Sequence, residues 1–267
     1  MEMISSRSNP KIKSARALQQ RKHRDSKRSF LVEGIHQVGA AVEAGATIEG
    51  IYYAPELLKS QYALDLIEEA SGRGLPCYAT TAEVFASLAG KGNPQGMLAV
   101  VRQRQETLSD LNPSGFSWGV ACIAPQDAGN VGTIMRTIDA VGASGLITLD
   151  GGVDAYHPTA VRASMGAIFR HPVVKASFEE FSQWAQGGSY QVYGTSARGS
   201  VDYLQVSDYT RPIILLLGDE RQGLTHAQAE ICRALVRLPM HGEVTSLNLA
   251  VAAGVMLYAM LEKLDRN

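Results

Sequence analysis

The segment from Ile213 to Gly218 constrains the fold of this 267-residue chain more than any other. It reads IILLLG, a continuous apolar run without the polar–apolar alternation of a half-exposed strand. Such runs are typical of parallel strands that helices cover on both faces. Further strand-like segments from residue 118 onward are separated by helical patterns. This alternation predicts an α/β domain built on a parallel sheet.

The N-terminal part of the chain shows a second, smaller alternation of the same kind. Asn9 and Pro10 open a predicted helix, and SFLVEG, IEGIYYA, PCYATT and GMLAVVR read as strands with helical patterns between them. The turn-rich stretch QRQETLSDLNPSGFS then interrupts the pattern. We therefore predict a small α/β domain over residues 1–102, a linker over 103–117 and a second domain over 118–267.

Positive charge is concentrated at the N-terminus, although the net charge of the chain is −1. Residues 1–28 contain nine lysines and arginines and only two acidic residues. A basic segment on a mildly acidic body could bind a phosphate backbone. A solvated first helix explains the same charges equally well.

Several classes of protein are disfavoured by the sequence. Three isolated cysteines and six scattered histidines form neither a disulfide framework nor a metal site. No secretory signal or membrane-length apolar run occurs, so we expect a cytoplasmic protein that does not associate with membranes. Motifs for nicotinamide dinucleotides, the P-loop and the hydrolase nucleophile elbow are missing from the sequence.

Three loops that follow predicted strands carry glycine together with polar side chains. In open parallel sheets, ligands bind beyond the carboxyl ends of the strands. The first loop, 125–132, contains Asn130 and enters a helix that bears Arg136. The second, 218–224, contains Glu220 between two glycines. Taken singly, helix capping by Asn130 and a solvated Arg136 would explain the first loop.

The third loop, residues 238–248, leads into the strongly apolar stretch LAVAAGVMLYAML. Thr245 or Ser246 would be a natural N-cap for that helix, with Asn248 in its first turn. Capping explains Ser246, but it gives no purpose to the PMHGEV segment before it.

Together and in this order, the loops resemble the three motifs of the SpoU/TrmH family of RNA ribose methyltransferases in the SPOUT superfamily. NVGTIMR (130–136) resembles the first motif, GDE with GL (218–220 and 223–224) the second, and LPM through SLN (238–248) the third. RASMGA (162–167) matches a weaker signature of the family. Two departures are Asp127-Ala128-Gly129, where Asp-Pro usually precedes the Asn, and Leu249-Ala250, where Val-Ser often follows.

The resemblance extends to the N-terminal part, so it covers nearly the whole chain. SSRSNPKIK, RSFLVEG and NPQG (93–96) are similar to a ribosomal-protein-like substrate-binding domain that precedes many such catalytic domains. The resemblance implies a C-terminal SPOUT domain tied in a deep trefoil knot, which would be an exception to the general avoidance of knots. It also implies a homodimer formed through that domain.

The resemblance further implies S-adenosylmethionine as cofactor, no metal, and two sets of site residues. The cofactor-binding set is Thr195, Gly218, Leu238, Met240 and Leu247. The catalytic set is Arg136, Asn130, Glu220, Ser246 and Asn248. Within it, Arg136 would hold a phosphate and stabilise developing alkoxide charge, because a guanidinium keeps its proton too firmly to act as a base. The other residues would orient the ribose and the loops.

The implied activity is transfer of a methyl group to a ribose 2′-hydroxyl of structured RNA. Large-subunit ribosomal RNA is favoured over transfer RNA by analogy. The expected RNA contacts are Arg7, Lys11, Lys13, Arg21, Lys22, Arg24 and Arg162. Three alternatives remain open: a transfer RNA 2′-O-methyltransferase, a non-catalytic RNA-binding protein that keeps the fold, and an enzyme that methylates a base nitrogen.

Overall fold

A computed structural model describes residues 3–90 and 94–264 of the chain. The molecule divides into two compact units. The first comprises the residues up to Gln103 together with Tyr156–Phe169, and the second comprises Arg104–Ala155 and the chain from Arg170 onward. Asn93 of the NPQG motif lies outside the described residues.

The first unit is a small α/β unit built on a mixed sheet. Its strands are β1 (Ser29–Glu33), β2 (Ile48–Tyr53), β3 (Cys77–Ala79) and β4 (Met97–Arg102). They lie in the order β1-β4-β2-β3, with β4 antiparallel to both of its neighbours and β3 parallel to β2. Its helices are α1 (Pro10–Ala17), α2 (Arg21–Lys27), α3 (Ile35–Glu43), α4 (Gln61–Gly72) and α5 (Ala82–Ala86), with a 3-10 turn at Pro55–Leu57.

Helix α1 begins as the sequence predicts. The Asn9 side chain accepts a hydrogen bond from the Lys11 amide at 2.9 Å, and Pro10 occupies the first turn, where it costs no hydrogen bond. Ile12 and Ala15 are buried in the core, whereas Lys11 lies on the exposed side. The amphipathic pattern therefore fixes one face of α1 against the sheet and leaves its lysines in solvent.

Arg24 does not lie on the surface. Its side chain is buried, and its Nη1 donates to the carbonyl oxygens of Leu18 at 2.9 Å and Gln19 at 2.8 Å. The guanidinium thus satisfies acceptors at the end of the first helical segment, as a buried charge must. The expected RNA contact of Arg24 is wrong, because the side chain has no surface to offer.

The second unit contains a seven-stranded sheet in which every pair is parallel. Its strands are β5 (Trp118–Ile123), β6 (Gly145–Leu149), β7 (Val173–Ala176), β8 (Gln191–Thr195), β9 (Val201–Asp202), β10 (Ile213–Leu217) and β11 (Ala234–Arg237). They lie in the order β7-β6-β5-β10-β8-β11-β9. The predicted parallel α/β fold is confirmed, although the two-residue strand β9 was not predicted.

The apolar strand β10 lies in the middle of this sheet, between β5 and β8. All five of its side chains are buried, as the continuous apolar run predicts. The remaining helices of the chain are α6 (Ala128–Val141), α7 (Pro158–Ala163), α8 (Ala167–Arg170), α9 (Phe178–Gly187), α10 (His226–Glu230) and α11 (Leu249–Leu264). Helices α6 and α11 pack against each other in the second unit. No helix within residues 3–90 and 94–264 is long and apolar enough to cross a bilayer.

The segment predicted as a linker is an ordered part of the second unit from Arg104 onward. It forms a 3-10 turn at Leu108–Asp110, and the Trp184 indole nitrogen donates to the Leu111 carbonyl at 3.0 Å. Phe116 is buried in the core. Leu108 and Leu111 are partly buried against the same core. The polar, turn-rich composition of the segment gave no indication of these three apolar contacts.

Residues 156–169, which the sequence places in the C-terminal domain, pack within the first unit. The Phe30 ring lies 4.7 Å from the Tyr156 ring and 6.2 Å from the Phe169 ring, centroid to centroid. Arg162 forms an ion pair with Glu33 at 3.4 Å. This helical segment therefore shares a core with β1, which is distant in sequence.

A carboxylate at the end of α6 links this helix to the start of β7. Both oxygens of Asp139 accept from the Arg170 guanidinium, at 3.0 and 2.7 Å, and His171 Nε2 lies 2.8 Å from Asp139 Oδ1. Hydrogen bonding to Arg170, with a smaller effect of His171, lowers the pKa of Asp139 to about 2. The ionised carboxylate is therefore the form that the fold favours.

We expect Asp139→Asn to lower the free energy of unfolding at pH 7 by about 1–2 kcal/mol, because the bidentate ion pair is lost. A carboxylate whose pKa is lower in the folded than in the unfolded protein stabilises the fold at pH values above its unfolded pKa. This stabilisation is lost as the pH falls through its folded pKa. The difference in free energy of unfolding between the variant and the wild type should therefore become smaller as the pH falls from about 4 toward 2. Urea unfolding followed by tryptophan fluorescence measures it.

Glu69→Gln is the matched control, because Glu69 pairs with Arg73 while both side chains are about half exposed. Such a pair contributes little, so this variant should unfold like the wild type. An Asp139→Asn protein as stable as the wild type at pH 7 would contradict the assigned role.

Candidate active site

Four loops meet at one edge of the parallel sheet. Strands β5, β10, β8 and β11 are consecutive neighbours and run in the same direction, so their carboxyl ends lie side by side. The three polar loops identified in the sequence follow β5, β10 and β11, and Thr195 ends β8. The strand order thus brings together segments that lie about a hundred residues apart in the chain.

A hydrogen-bonded set connects the three loops, one residue from each. Asn130 Nδ2 donates to Glu220 Oε1 at 2.8 Å, and Asn248 Nδ2 donates to Asn130 Oδ1 at 3.0 Å. A carboxylate can only accept, so Glu220 fixes which end of the Asn130 amide faces it. The carbonyl end of Asn130 then faces the Asn248 amide. We call Asn130, Glu220 and Asn248 the amide–carboxylate set.

Asn248 also caps helix α11. Its Oδ1 accepts from the backbone amides of Ala250 at 2.9 Å and Val251 at 3.3 Å. The expectation that Thr245 or Ser246 caps this helix is wrong, because the helix begins only at Leu249. Capping and the bond to Asn130 use opposite ends of one amide, so the start of α11 fixes the Asn248 side chain.

Asp127, and not Asn130, caps helix α6. Asp127 Oδ1 accepts from the Asn130 amide nitrogen at 2.8 Å. The Asn130 side chain is therefore not needed at the helix end and joins the amide–carboxylate set instead. Ala128, which stands where the family usually has proline, is the first residue of the helix.

The loop after β10 is a tight turn that presents Glu220 at an exposed position. Asp219 and Gly223 exchange backbone hydrogen bonds of 3.1 and 2.9 Å, and Gly223 has a φ of +70°. Asp219 Oδ1 accepts from the amides of Arg221 and Gln222. Hydrogen bonds from Gln222 and Arg221 lower the pKa of Asp219. Asp219 was missed as a site residue from the sequence, although Asp is common in turns because its side chain can accept hydrogen bonds from backbone amides two residues on.

Gly218 and Gly152 allow close backbone contacts in this region. A Cβ on Gly218 would lie 2.6 Å from the carbonyl carbon of Gly223. A Cβ on Gly152, whose φ is +86°, would lie 2.6 Å from the carbonyl oxygen of Pro125. Residues 152 and 153 thereby support the first loop. The Val153 amide donates a hydrogen bond of 2.7 Å to the carbonyl oxygen of Pro125. No sequence motif pointed to Gly152.

The loop after β11 offers free groups for a ligand. From Pro239 to Leu247, no backbone or side-chain group hydrogen-bonds to another described residue. Val244 and Leu247 expose 64% and 38% of their surfaces. Free amides and carbonyls beside apolar side chains suit the adenosine part of S-adenosylmethionine, whose base needs donors, acceptors and an apolar contact. The residues therefore fit the expected cofactor.

The expected cofactor residues lie along this edge. Thr195 ends β8 and pairs in register with Val236 of β11. Gly218 directly follows β10, and Leu238 directly follows β11. Met240 and Leu247 lie in the loop after β11, where Met240 is half-buried.

Arg136 and Ser246 are not part of the amide–carboxylate set. Arg136 is exposed on α6, six residues after Asn130, which is about 240° around the helix. Arg136 and Ser246 make no hydrogen bond or ion pair with another described residue. The structure thus brings together three of the five expected catalytic residues and leaves these two in solvent.

The expected RNA contacts other than Arg24 are exposed on the first unit. Three of them, Lys11, Lys13 and Lys22, are exposed lysines. The three arginines are more than half exposed and pair with carboxylates: Arg7 with Glu83 at 3.2 Å, Arg21 with Asp25 at 3.6 Å, and Arg162 with Glu33 at 3.4 Å. Surface pairs of this kind are weak enough to exchange for a phosphate.

No group of three potential metal ligands occurs within residues 3–90 and 94–264.

Two family models match consecutive parts of the chain. The model of the SpoU rRNA Methylase family matches residues 118–258, and that of the MRM3-like substrate binding domain matches residues 9–99. The first match contains all members of the amide–carboxylate set. Together the two models cover most of the chain.

Similar proteins are known over nearly the full length. The 23S rRNA (guanosine(2553)-2′-O)-methyltransferase RlmP of Bacillus subtilis is 28% identical over 97% of this chain and 98% of its own. The 23S rRNA (uridine(2479)-2′-O)-methyltransferase of Streptomyces viridochromogenes is 33% identical over 86% of this chain and 81% of its own.

Solved structures show the same fold. An AdoMet-bound rRNA methyltransferase from Sinorhizobium meliloti is 36% identical, with a TM-score of 0.88 over 98% of this chain and 97% of that one. The SpoU methyltransferase AviRb from Streptomyces viridochromogenes, in complex with AdoMet, is 30% identical, with a TM-score of 0.84 over 95% of this chain and 98% of its own. The motifs, the fold and these matches agree, and the chain belongs to the SpoU rRNA methylase family.

Proposed function

We propose that this protein transfers the methyl group of S-adenosylmethionine to a ribose 2′-hydroxyl of large-subunit ribosomal RNA, and that it does so in the cytoplasm. The observation that carries the proposal is the amide–carboxylate set, to which each of the three loops contributes one residue. Relatives similar over most of their length are named as 23S rRNA 2′-O-methyltransferases, which favours ribosomal over transfer RNA.

S-adenosylmethionine would be held by the loops after β8, β10 and β11, through Thr195, Gly218, Leu238, Met240 and Leu247. The free backbone groups of residues 239–247 support this assignment, as do the AdoMet-bound structures of similar proteins. When bound, the cofactor supplies an electrophilic methyl group on a sulfonium. The protein must then orient the ribose hydroxyl in line with that methyl group and assist loss of its proton.

The amide–carboxylate set is suited to orienting a ribose. Each Asn amide has two N–H donors, and the bonds within the set use one donor of each side chain. The second donor of Asn130 or Asn248 is available to a ribose oxygen. Glu220 holds Asn130 in this orientation and acts as a positioning residue. Ser246, exposed two residues before Asn248, adds a hydroxyl on the same loop.

Arg136 would bind the phosphate next to the reacting nucleotide. The guanidinium has no protein partner among the described residues, so it can form a bidentate bond to phosphate. Its positive charge would stabilise the alkoxide that develops as the 2′-hydroxyl loses its proton. The proton leaves to phosphate or water, because a guanidinium does not accept one at neutral pH.

Wild-type protein, labelled S-adenosylmethionine and ribosomal RNA should yield a labelled 2′-O-methylnucleoside after digestion to nucleosides. Arg136→Ala should lower turnover about 100-fold or more, because a positioned charge is lost. The affinity for S-adenosylhomocysteine, measured by calorimetry, should not change.

Arg136→Lys is the matched variant, because it keeps the charge but not the planar fork, so its turnover should be intermediate. Near-normal turnover by Arg136→Ala would contradict the role of this residue in binding the phosphate and stabilising the alkoxide. A label on a base nitrogen, or RNA binding without any transfer by the wild type, would overturn the proposed activity.

Removal of the Glu220 carboxylate should leave Asn130 free to rotate. We expect Glu220→Ala to lower kcat by about 10- to 100-fold, the effect of losing one hydrogen bond to a charged acceptor. Glu220→Gln keeps an oxygen acceptor and should recover much of that loss. Both are measured by methyl transfer at saturating RNA; equal kcat values for the two variants would rule out the positioning role.

We further propose that the C-terminal domain carries the trefoil knot of its family and forms a homodimer through α11. One side of this helix exposes Val251, Val255 and Tyr258, to 52%, 37% and 55%. Their spacing of four and three residues makes a continuous apolar stripe. The opposite side carries the buried residues Ala253, Met256 and Met260. A second copy of the same stripe is a self-complementary partner.

Light scattering after size-exclusion chromatography should give a dimer for the wild type. The double variant Val255→Asp/Tyr258→Asp should be monomeric, because it places charges in an apolar contact. Leu64→Asp, which alters an exposed leucine on α4, is the control and should remain a dimer. A dimeric double variant would exclude the α11 stripe as the interface.

A further inference from the structure

The first unit contains a cavity of about 360 Å³ between its first two helices and the sheet. This volume is at the lower end of the range of ligand pockets. The lining combines two lysines, two tyrosines, a serine and a carboxylate with apolar groups. The lining residues are Pro10, Lys11, Ser14, Ala15, Leu18, Lys27, Glu49, Tyr52, Tyr78 and Val100.

Two tyrosines form an aromatic wall of the cavity. Tyr52 on β2 and Tyr78 on β3 are partners in register, and their ring centroids lie 5.2 Å apart. A Cβ on Gly50 would lie 2.9 Å from Cε2 of Tyr78, so the Tyr78 ring extends across β2 at the position where a side chain is missing. Tyr78 is half-buried and leaves part of its ring accessible.

The Tyr52 hydroxyl has no hydrogen-bond partner among the described residues, although only 6% of the residue is exposed. Burial, with smaller effects of Tyr78 and Glu49, raises the pKa of Tyr52 to about 12, so the hydroxyl keeps its proton. The hydroxyl oxygen itself is not sealed off from solvent, so a hydrogen-bond partner that enters the cavity can reach it. Here the side chain lines a cavity, where a ligand can supply the partner.

Positive charge dominates the opening. The Lys11 ammonium lies 3.9 Å above the Tyr78 ring centroid, and Lys27 Nζ donates to Ser14 Oγ at 2.6 Å. Neither lysine forms an ion pair with a described residue. The Glu49 carboxylate is already held by Arg102 at 3.0 Å and by Ser29 at 3.1 Å. Two cations therefore remain for an anionic ligand.

We infer that this cavity binds one unpaired nucleotide of the RNA substrate. The base stacks on the tyrosine wall, its polar edge bonds to the Tyr52 hydroxyl, and Lys11 and Lys27 contact the adjoining phosphates. Lys11 has a flexible stem, so its ammonium can leave the Tyr78 face for a phosphate when a base arrives. The inference rests on the proposed function and adds that the recognised RNA presents a splayed base outside a helix.

General features of RNA recognition favour an unpaired nucleotide over double-stranded RNA as the ligand of this cavity. The bases of double-stranded RNA are stacked and cannot enter a cavity, whereas loops and bulges expose bases that stack on aromatic side chains. Stacking supplies affinity from the base, and lysines supply it from the backbone. A free mononucleotide carries the same two groups, so the test must separate it from RNA.

Full-length protein should be titrated with a large-subunit ribosomal RNA transcript over a range of salt concentrations. Tyr52→Phe removes one hydroxyl and should weaken binding about fivefold. Tyr78→Leu removes the stacking surface while keeping apolar bulk, and should weaken it about tenfold or more. Log affinity falls as log salt concentration rises, and the double variant Lys11→Met/Lys27→Met should make this slope less negative by about 1.4, the value for two single-strand phosphate contacts.

Lys59→Met is the control, because it removes an exposed lysine of the same unit outside the cavity lining, and it should bind like the wild type. Circular dichroism spectra identify any variant that does not fold, and Tyr52→Phe, which loses only an oxygen, is the variant least affected by packing. Unchanged RNA affinity of folded Tyr52→Phe and Lys11→Met/Lys27→Met would overturn the inference.

Adenosine and uridine 5′-monophosphate serve as the second arm. Weaker binding of RNA by the variants, with no measurable binding of either mononucleotide, assigns the cavity to RNA. Mononucleotide binding that the variants lose, with RNA affinity unchanged, would assign it to a free nucleotide and overturn the RNA assignment. Methyl transfer by the wild type is the independent readout of the proposed function, so the two proposals can fail separately.

Discussion

The Asn130 amide has to satisfy two partners at once, and the geometry of the site depends on this requirement. Its nitrogen faces the Glu220 carboxylate and its oxygen faces the Asn248 amide. That arrangement is possible only because Asp127 caps α6 in its place. Asn248 is fixed in turn by capping α11 through its own oxygen. The starts of two helices and the turn after β10 are thereby fixed by side chains whose remaining donors bond to no other described residue.

The parallel sheet makes this convergence possible. Strand β10 follows β8 in the chain but lies between β5 and β8 in the sheet. The loops after β5 and β10 are therefore adjacent, although Asn130 and Glu220 are 90 residues apart. Apolar side chains on both faces of β10 keep this strand in the centre.

The sequence predicted what depends on local pattern and missed what depends on contacts between distant segments. The apolar run of β10 and the Asn-Pro start of α1 were predictable because burial and capping leave local signals. Ser246 and Asn248 are equally good caps by residue type, so only the start of α11 could decide between them. Arg24 is one of nine cations in its segment, and charge alone does not reveal that its partners are buried carbonyls. The close approach of Gly152 to Pro125 has no local signal at all.

The two units contain different kinds of chemistry, and this difference argues for a division of tasks. The amide–carboxylate set of the second unit consists of two neutral amides and one carboxylate, which suits hydrogen bonding to a ribose and offers little to a polyanion. The cavity of the first unit pairs aromatic surface with two lysines that form no ion pair with a described residue, which suits a nucleotide. Affinity for RNA and the rate of methyl transfer should therefore respond to separate sets of residues, and neither set alone would make a methyltransferase that selects its site.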